Sequence, residues 1–122
     1  MDTQSATKPR RVAVTGGRDF NNADLVDQAM SEHLGATDTL VHGAARGADT
    51  LAHLWAKQRG IRIELFPAEW EKHGSAAGPI HNQAMVDSAP DLLVAFPGGA
   101  GTAHMVSATL RAGIPVVFAA GA

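Results

Sequence analysis

The sequence contains no cysteine. That single absence removes disulfide bonds, thiolate-held zinc and a cysteine nucleophile together. Neither sign of charge dominates, since ten Lys and Arg against twelve Asp and Glu leave a net charge of −2. There is therefore no global basic field to recruit nucleic acid or an anionic membrane, and any polyanion must be bound locally. No apolar run approaches the ~18 residues a membrane span needs, and no apolar segment follows the basic residues Lys8, Arg10 and Arg11, so neither a span nor a signal peptide is expected. The default location is the cytoplasm. Internal repeats and low-complexity stretches are missing as well. What is present is a chain of 122 residues, 45% hydrophobic, which suits one compact domain with an ordinary core and needs no metal or disulfide to hold it.

Residues 1–10 are polar, contain Pro9 and show no periodicity, so a disordered leader is expected there and a single domain over 11–122. From Arg11 onward short apolar runs alternate with helical patterns. Strands are predicted at Val12–Val14, Leu40–Val41, Ile61–Phe66, Leu92–Phe96 and Ile114–Phe118. Between them, Leu25, Val26, Ala29 and Met30 form one helical stripe, and Ala48, Leu51, Ala52 and Trp55 form another. A third helix is predicted from Pro79 to before Pro90, and a fourth from about Gly101 to Arg111 with Met105, Val106, Thr109 and Leu110 inward. Gly60 and Gly113 lie just past the ends of two of these helices, as C-terminal glycines do.

This βαβ order demands a mainly parallel, doubly wound sheet with helices on both faces, a three-layer Rossmann-like α/β fold. Leu92–Phe96 is apolar throughout, as a central strand should be, whereas Ile61-Arg62-Ile63-Glu64-Leu65 alternates like an edge. The strand order 3-2-1-4-5 satisfies both and puts the topological switch point, where ligands bind in such sheets, between strands 1 and 4.

In that topology the loops after the strands share one edge, and the unusual residues are concentrated in them. They are Thr15 to Phe20 with Gly16, Gly17 and Arg18; His42 to Asp49 with Gly43, Arg46 and Asp49; Pro67 to Pro79 with Glu69 and Trp70; and Pro97 to Thr102 with Gly98, Gly99 and Gly101. The last loop opens a helix on three glycines, so its N–H groups can approach an anion without Cβ obstruction. It has neither the lysine of a Walker A loop nor the sixth-position glycine of the dinucleotide fingerprint. Arg18 and Arg46 suit bidentate contact with phosphate or carboxylate, the favoured reading for Arg18, while for Arg46 a surface pairing with a neighbouring aspartate, Asp19 or Asp49, fits as well. Asp49 is placed to cap the second helix or to accept a sugar hydroxyl. Pro67–Pro79 is long for a strand-to-helix link and reads as a lid, with Trp70 either stacking on a base or anchoring the core. The six histidines include no i, i+4 pair and no HExxH, so no metal or cofactor is expected; His42 and His81 alone are placed at the ligand edge, with His33, His53 and His73 at the surface or in packing. There is no Gly-x-Ser-x-Gly elbow either.

Taken together, Gly17-Arg18-Asp19-Phe20, His42-Gly43-Ala44-Ala45-Arg46-Gly47-Ala48-Asp49, Phe66 to Trp70, Gly74 to Asn82 and Ala95 to Thr102 resemble the YspA-like, YpsA-related branch of the SLOG superfamily. That superfamily is Rossmann-like and includes the LOG phosphoribohydrolases, the DprA/Smf single-stranded-DNA proteins and sensor domains for nucleotide or NAD-derived signals. The resemblance implies a nucleotide-type ligand and a homodimer, with Asn82 in the site beside the loops above. It does not settle catalysis. The LOG enzymes carry a glutamate three residues after the motif threonine, here Met105, and the branch has an arginine where this chain has His81. A hydrolase would need Glu69 or Asp49 as its carboxylate, and DNA binding is opposed by the charge balance. With His81 in place of a permanently charged arginine, affinity is expected to rise as pH falls through the ordinary imidazole range near about 6.5.

Overall fold

The computed structural model describes residues 8–119. Five parallel strands, β1 (Arg11–Thr15), β2 (Thr39–His42), β3 (Arg62–Leu65), β4 (Leu92–Ala95) and β5 (Val116–Phe118), lie in the order β3-β2-β1-β4-β5. The predicted order is the observed one. Alternate residues of the central strands feed two cores, because successive side chains leave a strand on opposite faces. Val12, Val14, Leu40 and Val94 pack against α1 (Ala23–His33) and α2 (Ala48–Gln58), which contribute Val26, Met30, Ala52 and Trp55. Ala13, Val41 and Leu93 face α4 (Ala77–Asp87) and α5 (Ala100–Arg111), which contribute Met85, Val86, Met105 and Ala108.

The amino edge of the sheet is fastened by Arg11. Its guanidinium reaches both carboxylate oxygens of Glu64 at 2.9 Å and the Ser88 carbonyl at 2.6 Å, tying β1 to the edge strand β3 and to the end of α4. A bidentate arginine of this kind holds geometry better than a single surface ion pair. Residues 1–7 of the expected leader lie outside the described residues. Arg10, assigned to that leader by its polarity, is instead part of the fold: its N–H donates to Asp38 and its guanidinium to the His33 carbonyl.

Three expectations need correction. Pro67–Pro79 is not an irregular link, since it carries α3 (Trp70–His73) and a turn of 3-10 helix (Gly74–Ala76) that runs straight into α4. The helix starts at Ala77, two residues before Pro79, because a proline in the first turn costs no hydrogen bond when that turn's N–H groups have no partners anyway. Leu110 points outward, 56% exposed, whereas Thr109 is fully buried with its hydroxyl donating to the Met105 carbonyl at 2.7 Å. Among the described residues no helix is long and apolar enough to cross a membrane.

Candidate functional site

The carboxyl edge is organised by backbone contacts between three loops. Gly17 donates its N–H to the Pro97 carbonyl at 2.9 Å and accepts at its own carbonyl from Ala48 N–H at 3.2 Å, so the loops after β1, β2 and β4 are stitched into one floor. Two glycines make this possible. Gly47 has φ +80°, and a Cβ there would stand 2.6 Å from the Arg18 carbonyl oxygen; a Cβ on Gly98 would stand 2.6 Å from Gly17 N and strike the Thr102 hydroxyl.

Above this floor, at the predicted switch point, lies a cavity of about 600 Å3. Gly99, Gly101 and Thr102 line it from the start of α5, whose N-terminus receives no side-chain cap. A Cβ added to Gly99 or Gly101 would meet no atom within 4 Å. The helix start is therefore open, with first-turn N–H groups and the positive end of the helix dipole available to an anion. Gly16, Gly17 and Arg18 face it from the loop after β1. The Arg18 guanidinium lies 5.0 Å over the Trp70 ring, and Trp70, 46% exposed, lines the cavity instead of anchoring the core.

Asp49 and His81 also line the cavity. Asp49 sits in the first turn of α2, 6% exposed, and one carboxylate oxygen accepts the N–H groups of Gly43 at 3.1 Å and Ala45 at 3.2 Å. Burial pushes its carboxyl up to about 6, although the two amides and the Arg18 charge pull the other way. His81 covers Gly43 so closely that a Cβ there would stand 2.7 Å from Nε2. Its Nδ1 is buried without a hydrogen-bond partner. Burial pushes the ring below the usual imidazole range; the Ala77 carbonyl favours protonation, without the alignment of a hydrogen bond, and the Arg18 charge opposes it. The expected gain of affinity through pH 6.5 therefore moves to lower pH, and the ring is neutral at physiological pH.

Asn82 is buried and donates from Nδ2 to the Gly101 carbonyl and to His104 Nδ1, both at 3.2 Å, bracing α4 against the start of α5. His104 lines the cavity. Sequence reasoning passed over it, although three positions separate it from Gly101, which places both on neighbouring turns of one helix face.

Four of the residues read as ligand contacts do not line the cavity. Gly43 lies beneath His81, Pro97 and Gly98 belong to the floor, and Arg46 is a surface residue with its side chain 73% exposed and 3.7 Å from Asp19. Glu69 is also outside, 3.9 Å from His73 Nε2. Met105 is fully buried in the core between α4 and α5 and does not reach the cavity either. His42 turns away to His53: its Nδ1 accepts the Ala44 N–H at 2.9 Å, its Nε2 lies 3.0 Å from His53 Nδ1, and burial together with the His53 charge lowers its pKa to about 4.

Comparison with known proteins agrees with this fold. Among solved structures, DNA processing protein A (DprA) from Streptococcus pneumoniae matches with a TM-score of 0.78 at 17% identity, over 93% of this chain and 51% of that one. This chain thus spans about half the length of DprA. TM1055, a structural genomics target, matches with a TM-score of 0.66 at 15% identity, over 88% of this chain and 72% of its own. Likeness at such identities speaks for the fold alone. In sequence, the Gene 61 protein of Mycobacterium phage D29 is 40% identical over 118 residues, 88% of this chain and 94% of that protein. The model of the YspA, cpYpsA-related SLOG family matches residues 10–73, the stretch that carries β1, the loops with Arg18 and Asp49, and Trp70. With more than half of its residues under that model and a relative matching nearly end to end, the chain belongs to the YspA, cpYpsA-related SLOG family.

Proposed function

We propose that the cavity binds a nucleotide-type small molecule, a nucleoside phosphate, ADP-ribose or NAD-type signal, and that the protein acts as a binding or sensor module. The observation that carries this reading is the uncapped start of α5, open at Gly99 and Gly101, inside a cavity it shares with Arg18. A phosphate on those N–H groups gains the helix dipole and the guanidinium together. Trp70, beside Arg18 in the same lining, adds an aromatic surface for a base.

Turnover is a poorer fit. N-glycoside cleavage needs a carboxylate at an oxocarbenium-like centre. The Met105 position is core, Glu69 is outside, and Asp49 is the one carboxylate lining the cavity. A strand of DNA, suggested by the name of the DNA processing protein that shares the fold, needs a track of cations, and Arg18 is the one Lys or Arg in the lining. Calorimetry with AMP and ADP-ribose, paired with chromatography for free adenine, should give saturable binding and no base release. Absence of binding by both at millimolar concentration would remove this reading, and steady adenine release would make the protein a hydrolase.

The same proposal includes a homodimer. Leu110 and Phe118, 56% and 65% exposed, flank an apolar groove of about 400 Å3 that also borders Gly99 and Thr102, so pairing there would enclose the site. Light scattering at tens of micromolar should report twice the chain mass; a monomer rejects the pairing and leaves the binding proposal standing.

A further inference from the structure

The two ends of the cavity differ in hydrogen-bonding character. The α5 end offers donors, the first-turn N–H groups and the Arg18 guanidinium. The Asp49 end offers an acceptor. One oxygen of this carboxylate is used by the Gly43 and Ala45 amides, and the other receives no hydrogen bond from the protein. Among the described residues the one buried side-chain polar atom lacking a partner is His81 Nδ1, so the second Asp49 oxygen is not sealed off, and Asp49 is part of the cavity lining. A carboxylate 94% withdrawn from solvent with a free oxygen is costly unless a ligand donor completes it. His81, packed against the same Gly43 α-carbon, sets a neutral imidazole beside it that can accept or donate.

We infer that Asp49, with His81 alongside, reads the hydroxyl groups of a ribose, so the site selects ribonucleotides over 2′-deoxyribonucleotides. This rests on the nucleotide reading above. A phosphate cannot occupy the Asp49 end, where like charges would meet, so the anion is confined to α5 and Arg18. The sugar is the part of a nucleoside monophosphate next to its phosphate, and its hydroxyls are donors matched to the free oxygen. A base stacked on Trp70 leaves that oxygen to the sugar.

The test is calorimetry at pH 7.5 with AMP and 2′-deoxy-AMP on the wild type and on Asp49→Asn. The wild type should bind AMP about tenfold or more tightly than 2′-deoxy-AMP, the loss expected for a hydrogen bond to a charged group. Asp49→Asn keeps one oxygen for the two backbone amides but presents an amide in place of the free oxygen. It should weaken AMP to the level of 2′-deoxy-AMP and leave 2′-deoxy-AMP unchanged. Equal wild-type affinities, or an Asn variant that weakens both nucleotides alike, would show that Asp49 only holds its loop, with the nucleotide reading intact. Binding of neither nucleotide overturns the selectivity and the nucleotide reading together.

Discussion

Valine at Gly99 or at Gly101 is expected to weaken AMP or ADP-ribose binding more than ~100-fold while leaving the protein folded. Both α-carbons face open space, where an added Cβ has no neighbour within 4 Å, so the new side chain fills the approach to the α5 N–H groups. Charge-assisted hydrogen bonds to phosphate contribute about 1.5–3 kcal/mol each, and an anion held off the first turn loses more than one of them. Stability should hardly change. Gly101 lies in the first turn of a helix where glycine is itself a poor helix former, so replacement by valine shifts folding by less than about 1 kcal/mol. Contrast Gly98, where any side chain would strike Thr102 and Gly17, so a loss of binding there would mean only a broken floor. A Gly99→Val or Gly101→Val protein with wild-type melting temperature and wild-type affinity would move the phosphate cradle elsewhere.

The legible parts of this molecule are those where local pattern and tertiary need coincide. Leu92 to Phe96 is apolar because β4 is covered on both faces, and Ile61 to Leu65 alternates because β3 is an edge, so strand composition, joined to the doubly wound topology, pointed to the strand order. The switch point then gathers Arg18, Asp49 and the α5 glycines without further information. Arg46 shares the glycine-containing loop context that favours a ligand role for Arg18; what separates them is the direction of each side chain from its loop, which tertiary packing decides. The short α3 was invisible because Trp70 to His73 spans barely one turn, too few residues for a 3.6-residue period to show. His81 was placed correctly at the edge but with the wrong electrostatics, since its burial comes from contact with Gly43 on another loop. No pattern along α4 encodes that contact.

Asp49→Asn should make the protein more stable at neutral pH while removing its preference for ribose. Burial raises the Asp49 carboxyl from 3.8 to about 6, so the fold favours its protonated form. The sign follows directly. The stabilisation is fully present below the unfolded value, is lost as pH climbs from about 4 to about 6, and above that leaves the ionised protein weaker by about 3 kcal/mol. Asparagine still accepts from Gly43 and Ala45 and never ionises. Its neutral hydrogen bonds are weaker than those to a carboxylate, so a net gain of about 1–2 kcal/mol, several degrees in melting temperature, is expected at pH 7.5. The histidines act in the opposite sense. Burial lowers the pKa of His42 to about 4 and that of His81 below its usual range, and both destabilise the fold as pH falls below the unfolded imidazole value. His42 contributes equally to both proteins. His81, which faces Asp49 beside Arg18, is held below its ordinary imidazole range by burial, so its own protonation adds to the difference only at the acid end. Melting curves from pH 4 to 8 should therefore show a variant-minus-wild-type difference that is small near pH 4, grows to about pH 6 and is level beyond it. A constant difference, or a wild type that is the more stable at pH 7.5, would mean that the carboxylate is compensated within the protein and needs no ligand. Higher stability together with lost ribose selectivity is the pairing expected of a charge retained for its ligand at the expense of the fold.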